Sequence, residues 1–173
     1  MNRMLMSVGL LLAASNLYGD DATATKSDEP TKATYTISGL HCPPCTKTVE
    51  SSLKRLTGVR TAKVDWATKS AKVSFDESVL SAQQLAAAIA STPHMMGGGM
   101  SYGGWLALSV PGIKDEASAK EAETSVRGIK GVAKVGASPK QHTLSVQFAS
   151  DGKVSSKQLI DALDAAGFKA SNY

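Results

Sequence analysis

The residues of this sequence best suited to chemistry are two cysteines, Cys42 and Cys45, with two prolines between them. The chain has no other cysteine, so thiol chemistry is confined to one place and a disulfide framework spread over the fold is excluded. A thiolate pair is a soft site of low coordination number, which suits Cu(I) better than Mg²⁺ or Ca²⁺. Hg(II), Ag(I) and, with further ligands, Zn(II) are also compatible with two thiolates, so these residues alone do not identify the metal.

The pattern around the cysteines predicts a strand before them and a helix after them. Tyr35 and Ile37 alternate with polar residues, as in a half-buried strand, whereas Val49 and Leu53 are four residues apart and share one helical face. The backbone N–H groups and the dipole at the start of that helix favour the thiolate over the thiol. Because the thiolate is the form that binds metal, this position favours a metal site.

The residues after this helix predict two further strands and a second helix. Alternating apolar residues indicate the strands, and Ser81 is a candidate cap for the helix. The apolar positions are Ala62, Val64 and Trp66 in the second strand, Ala71, Val73 and Phe75 in the third, and Leu85 and Ile89 in the second helix. The order β, α, β, β, α predicts an α+β fold of the ferredoxin-like type, with an antiparallel sheet and two helices on one face.

An internal repeat divides the chain into two such units. A shift of 73 residues aligns apolar and glycine positions of the first unit with those of a second one. The aligned pairs include Ile37 with Val110, Gly39 with Gly112, Gly58 with Gly131 and Phe75 with Phe148. The sequence therefore predicts tandem βαββαβ domains at residues 33–94 and 105–173, called here the first and second units. A flexible linker rich in Met and Gly is predicted between them, at residues 95–104.

The second unit lacks the cysteine pair. Asp115 and Ser118 stand at the positions that correspond to Cys42 and Cys45. A carboxylate and a hydroxyl do not form a soft-metal pair. We therefore expect a structural or docking role for the second unit and a single metal site in the chain.

The amino terminus resembles a secretory signal. Residues 1–19 combine a positive charge, an apolar run and a small residue, and the apolar run is too short to span a bilayer. Residues 20–32 are mostly polar and are typical of a flexible tether. The sequence thus predicts a periplasmic or secreted protein without stable membrane insertion. Its formal net charge of +4 is evenly spread, so no nucleic-acid partner is expected.

The run GLHCPPC, from Gly39 to Cys45, resembles the motif of the heavy-metal-associated domain family, which includes copper chaperones and periplasmic mercury-binding proteins. The family motif is usually Gly-Met-x-Cys-x-x-Cys, and Leu40 takes the place of the methionine. The resemblance covers residues 33–94, makes the second unit a degenerate copy, and implies a metal carrier rather than an enzyme. It implies that Cys42 and Cys45 hold Cu(I), or Hg(II), reversibly. The ion would pass by ligand exchange to or from a partner protein such as a transporter.

The first unit departs from the family pattern where a fourth strand should begin, and that strand is expected to be short or missing. With one further residue inserted in the second unit, the repeat places His94 opposite Phe168. In the family, the loop before the fourth strand faces the loop that carries the two cysteines, which is called here the metal loop. The resemblance therefore makes His94 a candidate third ligand, or a residue that tunes the site. The thioethers of Met95, Met96 and Met100 could attract Cu(I) with low affinity, or these residues could be flexible gap-fillers in a loop.

Two alternative functions use the same cysteines. A C-x-x-C motif at the start of a helix is also the redox motif of thiol-disulfide oxidoreductases, and an oxidising compartment favours pairing of the cysteines. Against this class, Gly39-Leu40-His41 replaces an aromatic redox loop, the elements after the helix follow the order ββα, and no cis-proline segment is evident. The other alternative is a periplasmic protein that scavenges Hg(II).

Overall fold

The first strand of this protein follows the predicted alternation of buried and exposed residues. In the first strand Ala33, Tyr35 and Ile37 are buried, and their neighbours are more exposed. The computed structural model describes residues 29–173, so the predicted signal peptide at 1–19 and most of the predicted tether lie outside the described residues. The elements are β1 (Thr31–Ser38), α1 (Pro43–Lys54), β2 (Val59–Asp65), β3 (Ser70–Phe75), α2 (Ala82–Ser91), β4 (Gly103–Ser109), α3 (Glu116–Arg127), β5 (Val132–Ser138), β6 (Thr143–Phe148), α4 (Ser156–Ala165) and β7 (Ser171–Asn172). The predicted α+β fold and its βαββα order are confirmed in both units.

The seven strands of residues 29–173 form one antiparallel sheet. Its order is β2-β3-β1-β4-β6-β5, and β7 also pairs with β4. Strand β1 of the first unit pairs directly with β4 of the second, with Tyr35 opposite Leu106 and Ile37 opposite Gly104. The two units are therefore joined side by side through a shared ladder of strand pairing.

The first unit has no fourth strand of its own. Residues 92–102 connect α2 to β4 without forming a strand, in agreement with the sequence. The place beside β1 that a fourth strand takes in a βαββαβ fold is occupied by β4. Farther along β4, Leu108 and Ser109 pair with β7. Strand β4 thus completes the sheet of the first unit and begins that of the second.

The predicted linker is shorter than residues 95–104, and it does not separate the two units. Its last two residues, Gly103 and Gly104, belong to β4. A Cβ atom at Gly104 would lie 3.0 Å from Cδ1 of Ile89, so glycine here allows α2 to pack closely on the strand. The predicted tether is shorter as well, because β1 already begins at Thr31.

The helices pack on the sheet around one apolar core. Helix α2 of the first unit contacts β1, β4 and β6, and therefore lies over strands of both units. The largest fully buried side chains come from both units and from the segment between them: Tyr35, Leu53, Phe75, Leu85, Ile89, Tyr102, Leu106, Leu108, Ile113, Leu144, Leu159 and Leu163. None of the helices within residues 29–173 has the length and hydropathy of a membrane span.

A polar connection, called here the Gln83 joint, links α2 to the loop between β6 and α4. Gln83 is only 1% exposed. Its Nε2 donates hydrogen bonds to the carbonyl oxygens of Ala149 at 3.0 Å and Asp151 at 2.8 Å. Its Oε1 accepts a hydrogen bond from the N–H of Val154 at 3.0 Å, and its own N–H donates to the carbonyl oxygen of Val154 at 3.0 Å. One buried side chain of the first unit thus satisfies three backbone groups of the second.

Candidate metal centre

The predicted metal loop is a tight turn between β1 and α1. Gly39 has a φ of +84°, and a Cβ atom there would collide with the carbonyl oxygen of Ser101, so the turn requires glycine. The turn brings Cys42 to the position just before α1, where it is half-buried. Cys45 lies in the first turn of the helix and is fully buried. The two cysteines therefore occupy the start of the helix, as the sequence predicts.

Cys42 and Cys45 are joined by a disulfide, with their Cα atoms 5.4 Å apart. Their sulfur atoms thus meet across the C-x-x-C spacing. Metal binding requires both sulfur atoms as thiolates, so the structure represents the oxidised form of the loop. Ligation of a metal by this pair is a prediction for the reduced protein.

His94 lies beside the metal loop. Its Nε2 is 2.9 Å from the carbonyl oxygen of Gly39, and its Nδ1 accepts a hydrogen bond from the N–H of Met96 at 3.3 Å. Because a carbonyl oxygen only accepts hydrogen bonds, Nε2 carries the proton and both ring nitrogens are engaged by the backbone. Within residues 29–173, no group of three His, Cys, Asp or Glu side chains is placed to hold a metal ion. Ligation by His94 stays a prediction for the reduced protein, and it requires one of these hydrogen bonds to break.

Two other rings flank His94. The ring centroid of His41 lies 5.7 Å from that of His94, and the centroid of Tyr102 lies 4.6 Å from it. Tyr102 is buried, whereas His41 is exposed beside Cys42. The ring of His94 therefore contacts one exposed ring of the metal loop and one buried ring.

A cation that the sequence analysis missed also contacts the metal loop. Lys69, in the turn between β2 and β3, donates a hydrogen bond from Nζ to the carbonyl oxygen of Leu40 at 3.3 Å. Desolvation lowers the pKa of Lys69. His142 takes the same place in the second unit, where its Nδ1 lies 2.7 Å from the carbonyl oxygen of Ile113, and both residues have a φ of +50°. The 73-residue shift aligns Lys69 with His142, but this alignment carries no signal that either side chain contacts a loop.

Lys69→Met is expected to slow alkylation of the reduced cysteines by iodoacetamide about two- to fivefold, because it removes a positive charge that favours the thiolate. The rate can be followed by mass spectrometry. Lys72→Met is the matched control, since Lys72 is an exposed lysine on the neighbouring strand β3. Equal rates for the two variants would show that the charge of Lys69 does not act on the thiols.

Comparison with known protein families identifies the family to which both units belong. The family profile described as "Heavy-metal-associated domain" matches residues 34–94 and again residues 107–169, which together make up most of the chain. The chain belongs to the heavy-metal-associated domain family. The two matches correspond to the two units, and the second match begins within the shared strand β4.

Similar proteins include the copper-transporting ATPase HMA5 of Oryza sativa subsp. japonica, which is 29% identical over 135 residues, or 75% of this chain and 13% of the ATPase. This chain thus spans a small part of the length of that relative. The copper chaperone CopZ of Staphylococcus haemolyticus is 38% identical over 53 residues, or 31% of this chain and 78% of the chaperone. Among solved structures, the N-terminal soluble domains of Bacillus subtilis CopA cover 82% of this chain and 92% of that one, with 24% identity and a TM-score of 0.41.

In the second unit, the residues at the positions equivalent to the two cysteines cap helix α3. Asp115 is the N-cap residue of α3, and its carboxylate accepts a hydrogen bond from the N–H of Ser118 at 2.8 Å. The hydroxyl of Ser118 accepts one in return from the N–H of Asp115 at 3.1 Å. Hydrogen bonds from the side chain and the backbone of Ser118 lower the pKa of Asp115. Cys42 is the N-cap residue of α1 and makes no side-chain capping hydrogen bond. Helix α1 therefore lacks the stabilising contact that Asp115 gives to α3.

Proposed function

We propose that the first unit binds Cu(I) through the thiolates of Cys42 and Cys45 and passes the ion to a partner protein. The observation that carries this proposal is the meeting of the two sulfur atoms at the start of α1. Two soft ligands at low coordination number suit Cu(I). The copper-transporting ATPase and the copper chaperone among the similar proteins support Cu(I) as the metal.

The unequal burial of the two cysteines supports transfer by ligand exchange. Cys42 is half-buried at the loop, whereas Cys45 is fully buried beneath it. A thiolate of the partner approaches on the side of Cys42, and a new copper–sulfur bond forms as the bond to Cys42 breaks. A second exchange at Cys45 releases the ion, and Cu(I) keeps its oxidation state throughout. In this function the protein is a metal carrier and not an enzyme.

The proposed partner is a protein that donates or accepts metal, such as a transporter. The similarity to a copper-transporting ATPase supports this class of partner. The signal-like pattern of residues 1–19 supports a periplasmic or secreted location. In such an oxidising compartment, the cysteine pair must be kept reduced for Cu(I) to bind.

The redox state of the cysteines should decide Cu(I) binding. Under anaerobic conditions, the reduced protein should retain about one Cu(I) per chain against a strong chromophoric chelator, because the chain has one thiolate pair. The disulfide form and an S-alkylated form should both lose the ion to the same chelator. Equal retention by reduced and alkylated protein would show that the cysteines are not the ligands.

The disulfide supports a second candidate function, thiol-disulfide exchange by the same pair. Half-buried Cys42 is the sulfur that an external thiolate can approach. A disulfide reductase assay of the metal-free protein separates the two candidates. A carrier should show little turnover, whereas sustained turnover would favour the oxidoreductase.

A further inference from the structure

The methionines of the described residues lie together and outside the core. The chain has six methionines, three within residues 1–6 and three at Met95, Met96 and Met100. The exposed fractions of the latter three are 57%, 61% and 40%, and the apolar core of residues 29–173 contains no methionine. These three side chains therefore do not fill gaps between packed elements, which is the usual role of methionine in a fold.

The segment that carries them, residues 94–100, is folded into two consecutive turns and is called here the methionine loop. The carbonyl oxygen of His94 accepts a hydrogen bond from the N–H of Gly97 at 3.1 Å, and that of Gly97 accepts one from the N–H of Met100 at 3.3 Å. The three glycines between Met96 and Met100 have φ values of +61°, +65° and +73°, which residues with a side chain rarely adopt. Cβ atoms added to them would meet nothing within 4 Å. These glycines are therefore needed for the backbone conformation of the turns and not for close packing. The two turns keep the three methionines close together in one short loop.

His94 anchors the methionine loop to the metal loop. Its Nε2 donates a hydrogen bond to the carbonyl oxygen of Gly39, three residues before Cys42. Its Nδ1 accepts a hydrogen bond from the N–H of Met96. The same ring packs against buried Tyr102, which follows the loop. The methionine loop is therefore placed beside the cysteine pair, while its thioethers remain exposed to solvent.

We propose that Met95, Met96 and Met100 form a second soft-metal site, which binds Cu(I) through thioether sulfur atoms even while the cysteine pair is a disulfide. Thioethers are soft ligands that select Cu(I) over Zn(II) and harder ions. They carry no proton to lose and form no disulfides, so this site needs neither deprotonation nor a reductant. The existence of the site does not rest on the proposed function of the cysteine pair.

The decisive experiment uses the full chain with Cys42→Ser and Cys45→Ser, so that no thiolate contributes. The probes are Ag(I), which does not change oxidation state, and Cu(I) under anaerobic conditions. The ε-methyl NMR signals of the methionines, assigned by single Met→Leu substitutions, report binding. About one ion per chain should bind and shift the signals of Met95, Met96 and Met100 together, and Zn(II) should shift none. The disulfide form of the natural sequence should give the same shifts.

The matched control replaces Met95, Met96 and Met100 by leucine in the same background. Leucine keeps the apolar character, and the exposure of all three positions leaves the core intact, so only the sulfur ligands are lost. This variant should bind no Ag(I). The proposal is wrong if Ag(I) shifts none or only one of the three signals, or if the leucine variant binds as well as its parent.

The same leucine substitutions in a chain with reduced Cys42 and Cys45 should leave about one tightly held Cu(I), because the thiolate pair is intact. The two sites are thus tested in chains that each lack the ligands of the other. A failure of the thioether site and a failure of the cysteine site are therefore separate results.

Discussion

Replacing Cys42 by Asp and Cys45 by Ser is expected to abolish thiolate binding of Cu(I) and, at the same time, to stabilise the reduced, metal-free protein. The exchange copies the loop of the second unit, where Asp115 and Ser118 cap α3. Helix α1 has no side-chain cap at present. A carboxylate introduced at an N-cap contributes about 0.5–2 kcal/mol relative to alanine, so the free energy of unfolding should rise by about 1 kcal/mol. Urea denaturation under reducing conditions measures the change.

The matched control for this exchange is Cys42→Ala with Cys45→Ser, which lacks both thiolates and has no acceptor at the N-cap. Both variants should lose the Cu(I) that the thiolate pair retains against a strong chelator, and only the aspartate variant should gain stability. The gain should depend on pH, because capping by Ser118 lowers the pKa of Asp115 and the same cap should act at position 42. A carboxyl group with a lowered pKa stabilises the fold above its unfolded pKa and loses this effect as the pH falls through its folded value. The two variants should therefore converge below the ordinary pKa of aspartate, about 3.9, and equal stability at neutral pH would contradict the cap.

The same exchange in the opposite direction, Asp115→Cys with Ser118→Cys, completes the comparison. The reduced variant should retain about two thiolate-bound Cu(I) per chain against a strong chelator, because each unit then has one thiolate pair. Strands β1 and β4 are antiparallel, so the two loops lie at opposite ends of the sheet and do not share an ion. A second ion that fails to bind would show that surroundings such as Lys69 and His94 are required in addition to the cysteines.

The position of the cysteine pair could be predicted from the sequence because it depends on local patterns. Alternation in β1 and four-residue spacing in α1 place Cys42 between a strand and a helix, and the structure has it there. The side chain of Ser81 accepts a hydrogen bond from the N–H of Gln84 and caps α2, as its position predicts. The family resemblance also predicts that His94 lies near the metal loop, because in the family the loop before the fourth strand faces it, and the structure has His94 there.

The shared sheet could not be predicted in this way, since the alternation within β4 is the same whichever strand pairs with it. The open edge of β1 needs a partner for its N–H and C=O groups, and local periodicity does not say that the second unit supplies it. Gly104 is predicted as linker because glycine favours flexibility, whereas here it gives Ile89 room to pack. Gln83 is polar and helical, which predicts exposure, and it is buried only because the second unit covers it. Lys69 likewise reaches the metal loop only through the three-dimensional fold.

Replacing Gln83 by methionine is expected to lower the free energy of unfolding by about 2–4 kcal/mol, because methionine has a similar volume but none of the hydrogen bonds. In the variant the N–H of Val154 and the carbonyl oxygens of Ala149 and Asp151 lose the side chain that satisfies them. Each buried polar group left without a partner costs about 1–3 kcal/mol. Urea denaturation followed by circular dichroism measures the loss.

Lys157→Met provides the control for the Gln83 joint, since Lys157 stands at the corresponding position of α4 and is exposed. Its ion pair with Asp161 lies on the surface and contributes little, so this variant should remain close to the natural protein in stability. The Gln83 variant should also unfold less cooperatively, because the joint ties α2 of the first unit to the second. The Cu(I) stoichiometry of the reduced protein should not change, because the hydrogen bonds of Gln83 do not involve the metal loop. If both methionine variants were equally stable, strand β4 and the apolar core would be sufficient to hold the two units together.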